Sequence, residues 1–346
     1  MSLERGNVSN RKRVLLLTEY PLEPERFRSG PEAVGYRLAK GLGHYPDLEV
    51  HVLDCQSINH DLEFSANGVR VYVLASPRPK LFTRTVRDLP RIRQKIEDIR
   101  PDVIHAFHPA SAYAALGTNY PLVWTPHGLE QHRQRDEYYP GLRGYFQRKL
   151  SLYFQDRCLK GVKDIIAISN YMQDSLDGLT EARFHLIRNP IGEEFFALPD
   201  RDDRDDEEEG RLLFVGSIWP RKGLLTLVEA LGDIVPEMPE VKLRVVGRIL
   251  DQEYFDRVVS CVEREGLGRR VVFCGLLGGE DLLQVYRRAT ALILPSRRES
   301  AGLVVMEAMA AGKPVVASRV FALPEVVEEG RTGFLVEYGD VIGLAD

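Results

Sequence analysis

Short β-branched and aliphatic runs alternate along the chain with longer stretches whose apolar positions recur every three to four residues. That alternation predicts β-α-β units and parallel sheets rather than a β-sandwich. In the first half the predicted strands are Val14 to Thr18, Glu49 to Asp54, Arg70 to Leu74, Asp102 to Ala106, Leu122 to Thr125, Asp164 to Ser169 and His185 to Asn189. Helices are predicted from Pro31 to Leu42, where Pro31 suits a first helical turn, and from Leu89 to Ile99. A second half restarts the rhythm with strands at Arg211 to Val215, Lys242 to Val246, Val271 to Cys274, Ala291 to Leu294, Pro314 to Ala317 and Gly333 to Val336. Its predicted helices run from Gly223 to Ile234, Glu253 to Glu265 and Gly302 to Ala311. Each half reads as a doubly wound α/β domain.

Between the halves lies Asp200 to Glu209, eight acids against two Arg, a local charge of −6. A self-repelling run ending in Gly210 buries nothing, so 199–210 is predicted to be a solvated linker. The expected layout is a disordered tail at 1–12, one domain at 13–198 and a second at 211–346. The linker holds two D-x-D triplets, Asp200 to Asp202 and Asp203 to Asp205, but no apolar strand leads into them to fix the carboxylates, so no metal is assigned.

Composition narrows the class. With 44% hydrophobic and 28% charged residues among 346, the chain is globular, and its net charge of −5 comes from the linker. A molecule-wide basic field for nucleic acid is excluded. Four cysteines without a C-x-x-C pair argue against metal and redox motifs and suit a reducing compartment. No leader and no run of eighteen apolar residues is visible, so the expected location is cytoplasmic, with any membrane contact peripheral and at the inner face. Two stretches bear on that contact. Residues 78–100 carry eight Lys or Arg against three acids, a patch for anionic lipid, for an anionic acceptor, or an ordinary solvated helix face. Tyr138 to Phe154 is basic and aromatic, and its Tyr and Phe are expected to pack on the domain core.

Ligands of open parallel sheets sit beyond the carboxyl ends of the strands, where helix-start amides meet anions. Pro295 to Ser318 reads there as strand end, loop, helix and next strand, with Glu299 in the loop and Glu307 on the helix. The carboxylates flank the N–H groups of Gly302, Leu303 and Val304, with Glu307 about 7 Å along the axis from Gly302. Such donors suit a diphosphate, and acids beside it accept hydrogen bonds from sugar and ribose hydroxyls. On spacing alone, a solvated Glu299 with a Glu307 that merely favours the helix start stands equally open. A second group, Phe214 to Leu224, delivers Arg221 and Lys222 ahead of a helix after Gly216 and Ser217, either to neutralise a departing diphosphate or as an exposed turn. It lacks Walker A spacing, and no G-x-G-x-x-G follows the first strand.

These segments resemble the retaining, GT-B fold glycosyltransferases of family 4, also called glycosyl transferases group 1. Glu299, seven residues, then Glu307 and EAMAAGKPVVAS match that family's run, as do GSIWPRKG, PDVIHAF, TPHG, AISNYM and LPEVVEEGRTGFLV. The resemblance implies two Rossmann-like domains facing a central cleft. It assigns Lys222 to the diphosphate, Glu307 to the ribose, Glu299 to the donor sugar and the Gly302 and Leu303 backbone to phosphate. His127 is assigned to the sugar from the other half, Gly30 to close approach of the donor, and Gly275 with Leu276 to the base. His127, Lys222 and Glu299 are thus the candidate catalytic residues. The implied reaction moves a sugar from a UDP, GDP or ADP sugar to a glycan, lipid-linked or small-molecule acceptor with retention, without a resident cofactor. A sugar-nucleotide epimerase or a noncatalytic nucleotide-sugar-binding relative shares the architecture. This sequence departs from the pattern at Ser217, where Arg is common and Arg221 or Arg248 is expected to substitute, at Ser29-Gly30, and at Val320 to Ala322, where a glycine pair is usual. The family's last helices are expected to be missing after Asp346.

Overall fold

In a computed structural model the described residues are 11–23, 25–76, 84–130, 141–198 and 210–346. The tail up to residue 10 and the acidic linker before Gly210, with its D-x-D triplets, lie outside them, as do 77–83 and 131–140. The chain divides into two compact units. Unit 1 holds the described residues of 11–21, 29–168 and 172–188; unit 2 holds those of 22–28, 169–171 and 189–346.

Unit 1 is an eight-stranded sheet in the order β3-β4-β2-β1-β5-β6-β7-β8. Its strands are β1 (Lys12–Leu17), β2 (Leu48–Gln56), β3 (Leu62–Ala66), β4 (Val69–Ala75), β5 (Val103–Ala106), β6 (Leu122–Trp124), β7 (Asp164–Ala167) and β8 (Arg183–Leu186). Central strands buried on both faces read as unbroken apolar runs, and Leu15, Leu16, Val52, Val71, Val73 and Ile104 are fully enclosed. Lys12 belongs to β1 rather than to the expected tail, and pairs in register with Leu48. All ladders are parallel except β3 against β4, which the sequence reading missed. Its turn is Asn67-Gly68, with φ of 51° and 76°. Those two left-handed residues make the hairpin turn that Asn-Gly favours, so the dipeptide itself was the signal.

The helices of unit 1 are α1 (Gly30–Gly43), α2 (Arg84–Ile99), α3 (Pro109–Leu116), α4 (Gly141–Gly161) and α5 (Asn170–Leu176), whose first two residues belong to unit 2. Ser29 caps α1 by accepting the Glu32 N–H at 3.2 Å, with Pro31 in the first turn. Helix α2 starts a turn before the expected Leu89 and runs through Pro90. Helix α3 was not foreseen, because PASAYAAL is small and apolar on most sides and shows no clear period.

Unit 2 begins earlier than the expected boundary. Helix α6 (Glu193–Phe196) sends Phe195 into the unit 2 core, edge-on to Tyr286 with ring centroids 5.2 Å apart. Burying that ring, roughly 1.5 to 3 kcal/mol, ties residues 189–198 to the second sheet rather than the first. The sheet is wholly parallel, β11-β10-β9-β12-β13-β14, from β9 (Arg211–Val215), β10 (Lys242–Val246), β11 (Val271–Gly275), β12 (Ala291–Leu294), β13 (Val315–Ser318) and β14 (Gly333–Val336). Helices α7 (Leu224–Ile234), α8 (Gln252–Arg264), α9 (Gly279–Arg287), α10 (Leu303–Ala310) and α11 (Val341–Ala345) complete it. The strand order reverses between β9 and β12, a topological switch point of the Rossmann kind. In open sheets of this kind ligands bind beyond the strand ends at that point.

Candidate functional site

The two loops at that switch point carry the residues that the motifs singled out. After β9 the chain continues beside the loop that follows β10: the Gly216 N–H reaches the Val246 carbonyl at 2.9 Å and the Ile218 N–H the Arg248 carbonyl at 2.8 Å. It then tightens into a 3-10 turn, Pro220–Lys222, ended by Gly223 at φ 69°. Glycine is demanded there, since a Cβ would run into the Pro295 carbonyl at the end of β12. Gly247 is equally constrained, because a Cβ would meet the Gly216 carbonyl. The sequence reading did not single out either. Ser217 is half-buried, whereas Arg248 is exposed and meets this loop through its carbonyl.

From the β12 side, the Arg297 N–H donates to the Arg221 carbonyl at 2.8 Å and draws the loops together. The Lys222 ammonium then meets Glu299: Nζ to Oε1 is 2.6 Å, with the two side chains only 12% and 10% exposed. Burial pushes the Lys222 pKa down, Arg221 adds to this, and Glu299 opposes it without reversing the direction. For Glu299, burial raises the carboxyl, but Lys222 and Arg221 overcome it and hold the group below its ordinary value. Glu299 is therefore a carboxylate at neutral pH. The Arg221 guanidinium lies over the Trp219 ring at 4.8 Å, a cation-π contact that the sequence reading missed.

Helix α10 opens at Gly302, which holds φ 66° and provides no side-chain cap. The Val305 and Met306 amides both return to the Gly302 carbonyl, while helix geometry leaves those of Leu303 and Val304 without an intrahelical acceptor. One turn on, Glu307 is buried, and the Tyr286 hydroxyl of α9 donates to its Oε2 at 3.1 Å. Sequence reading missed α9 and with it Tyr286. The signal was present in Leu282, Val285, Tyr286 and Ala289, spaced as the apolar stripe of a helix.

Residues 320–322 stand where the family's glycine pair is usual, and they hold the Glu299 loop from behind. The Ala322 N–H donates to the Glu299 carbonyl at 3.2 Å. Phe321 takes φ 52°, a left-handed conformation that glycine adopts without strain. Its ring lies 5.7 Å from the Arg298 guanidinium carbon. Gly275 ends β11 and Leu276 follows it, two strands from β9, so about 10 Å along the sheet from the Lys222 loop. Unit 2 therefore brings together Gly216, Ser217, Arg221, Lys222, Glu299, Gly302, Leu303, Val304 and Glu307, with Gly275 and Leu276 at the same strand ends.

His127 and Gly30 belong to unit 1. Gly30 is the first residue of α1, and Ser29 before it also donates to Glu19 Oε2 at 2.6 Å. Within α1 a Cβ finds no room at Gly35, against the Thr18 side chain, or at Gly43, against the Asn67 carbonyl. His127 follows β6, its ring 4.9 Å from Phe107 and its Nε2 buried without a hydrogen-bond partner among the described residues. Burial, with His108 and His105 adding to it, lowers its pKa to about 3, so the ring is neutral at physiological pH. His105, lowered to about 4 by burial, meets the Thr125 hydroxyl at 2.7 Å. Among the described residues no three His, Cys, Asp or Glu side chains are grouped to hold a metal ion, and no helix is long and apolar enough to cross a membrane.

Comparison with known proteins agrees with this geometry. The description Glycosyl transferases group 1 matches residues 209–346, and Glycosyltransferase Family 4 matches 28–195. The chain belongs to glycosyltransferase family 4. A glycogen synthase from Mycobacterium tuberculosis is 31% identical over 254 residues, covering 71% of this chain and 59% of that protein. Sulfoquinovosyl transferase SQD2 of Arabidopsis thaliana is 28% identical over 275 residues, 73% of this chain and 50% of that one. The chain thus spans about half to three-fifths of the length of these curated relatives. Among solved structures, sucrose-phosphate synthase from Thermosynechococcus elongatus superposes with a TM-score of 0.79 at 24% identity, covering 97% of this chain and 88% of that one. Anabaena Alr3699/HepE in complex with UDP and glucose gives 0.68 at 21% identity, with the same coverage. The fold is GT-B, with two Rossmann-like α/β domains.

Proposed function

We propose that the protein transfers a sugar from a nucleoside diphosphate sugar to a hydroxyl-bearing glycan, lipid-linked or small-molecule acceptor, with retention at the anomeric carbon. One observation carries this reading: an enclosed ammonium and an uncapped helix start stand at one switch point, flanked by two buried carboxylates. Breaking the sugar-phosphate bond leaves negative charge on the diphosphate. Lys222 and the Leu303 and Val304 amides meet that charge, and the α10 dipole adds to it. Glu299 is already paired to Lys222; with the ammonium shared by phosphate, its other oxygen accepts from sugar hydroxyls. Glu307 serves the ribose from a position held by Tyr286, and Gly275 with Leu276 takes the base. Gly30 and His127 keep the roles that the family resemblance gives them, His127 as a neutral hydrogen-bonding group. The Alr3699/HepE structures with UDP and with UDP-glucose support a UDP-sugar donor. The leaving phosphate takes up the acceptor's proton, so no protein nucleophile or resident cofactor is invoked. Four scattered cysteines without a C-x-x-C pair accord with a cytoplasmic setting.

The test is a binding screen of UDP, GDP and ADP sugars followed by nucleotide release with candidate acceptors, the product's anomeric configuration being read by NMR. Lys222→Ala and Glu307→Ala should each abolish most turnover. Unchanged turnover in both refutes the site. Binding without release, or conversion of the donor without an acceptor, refutes transfer.

A further inference from the structure

The outer face of α4 is composed unlike an ordinary solvated helix face. On its inner face Phe154, Cys158 and Leu159 are buried, and the Phe154 ring lies 4.9 Å from Tyr113 of α3. Polar residues are expected opposite. Instead Leu142, Phe146 and Tyr153 stand there 79%, 64% and 49% exposed; of the aromatic residues expected on the core, Phe154 is buried, Tyr153 sets its ring edge-on to Tyr113 at 5.8 Å, and Phe146 turns outward. With exposed Lys149 they fall at i, i+4, i+7 and i+11, a single stripe along the helix. Three large apolar groups in one exposed row mark a contact surface.

Charge selects the partner. Among the described side chains of α4, Arg148, Lys149, Arg157 and Lys160 face one acid, Asp156, which pairs with Lys160 at 2.7 Å. The described basic side chains of α2 have partners within unit 1. Arg91 binds Asp61 at 2.7 Å, Arg93 donates to the Ala114 carbonyl, Arg87 lies 3.8 Å from Asp88, and Lys95 sits 4.0 Å over the Tyr72 ring. Arg87 of α2 also faces outward, but the exposed cations that stand beside an apolar stripe are those of α4. A second copy of the chain would also cover that stripe, but a contact between two copies of this face opposes one set of α4 cations to another. An anionic bilayer accepts both components at once.

We propose that this face docks on an anionic lipid surface, with Leu142, Phe146 and Tyr153 entering the headgroup layer and Lys149 and Arg157 on lipid phosphates. The proposal concerns a surface and stands independently of the transfer reaction. The experiment is co-sedimentation of the full chain with phosphatidylcholine vesicles, with and without phosphatidylglycerol. Binding is expected only with phosphatidylglycerol, and added salt should weaken it. A cation near such a surface contributes about five-fold in affinity, so K149E/R157E should reduce binding by at least about ten-fold. L142S/F146S should do likewise while circular dichroism and UDP binding stay as in the parent. Equal binding to neutral vesicles, binding to neither, or variants that sediment like the parent each overturn the proposal. So does a dimer in sedimentation equilibrium that Phe146→Ser dissociates while anionic vesicles bind nothing.

Discussion

Replacing Lys222 by methionine keeps much of the side chain's length and removes its charge. In the parent the ammonium lies 2.6 Å from Glu299, and neither side chain is exposed enough for solvent to screen the pair. Removing one member of a buried pair costs about 3 to 5 kcal/mol, because the other charge is left uncompensated. Arg221 still acts on the Glu299 carboxyl, which places the expected loss near the lower end, about 3 kcal/mol. The same ammonium is assigned to the diphosphate. A hydrogen bond to a charged group is worth about 1.5 to 3 kcal/mol, so UDP should bind about 10- to 150-fold more weakly. The double change Lys222→Met with Glu299→Gln separates the two roles. It removes both charges and should recover most of the stability, yet leave UDP binding weak. Urea unfolding of parent, single and double variants reads the first quantity, and calorimetric titration with UDP the second. A single variant that loses under about 1 kcal/mol and binds UDP normally refutes the reasoning, as does a double variant that regains affinity.

Three further outcomes follow from particular contacts. Burial depresses His105 to about 4 and His127 to about 3, so their contribution is complete above pH 6.5 and is lost as pH falls from there through the folded values. Urea midpoints should drop between pH 6.5 and 4, and His105→Gln should flatten that decline; an unchanged slope contradicts a neutral ring. Gly302→Ala forces a side chain onto φ 66° and brings its Cβ within 2.8 Å of Leu323 Cδ2, for an expected cost of about 1 to 2 kcal/mol. That cost should shrink in a Leu323→Ala background, and equal costs in both would rule out the clash. Tyr286→Phe deletes the hydroxyl that reaches Glu307 while keeping the ring against Phe195. It should lose about 1 kcal/mol and weaken UDP binding; full affinity by calorimetry would show that the tyrosine does not hold Glu307 for the ribose.

The order of residues alone was enough for the two mainly parallel sheets and for where most of their strands lie. A strand buried on both faces must be apolar along its whole length, and that constraint is written residue by residue in runs such as RLLFV and ALIL. It also placed Lys222 and Glu299 in loops after strands and Glu307 on the helix that follows, because loop chemistry and helix starts are local. Elements whose burial comes from distant neighbours were lost: α3 has no clean period, and α9 was passed over together with Tyr286. The 189–198 segment belongs to unit 2 through Phe195, whose partner Tyr286 lies far along the chain. Only the tertiary structure showed that Lys222 and Glu299, 77 residues apart, share one enclosed ion pair. It alone showed that Gly223 and Gly247 are fixed by carbonyls of other loops, and that α4 turns Leu142 and Phe146 outward. Spacing along a chain fixes which side chains share a face of one element. What that face meets is decided when the elements pack.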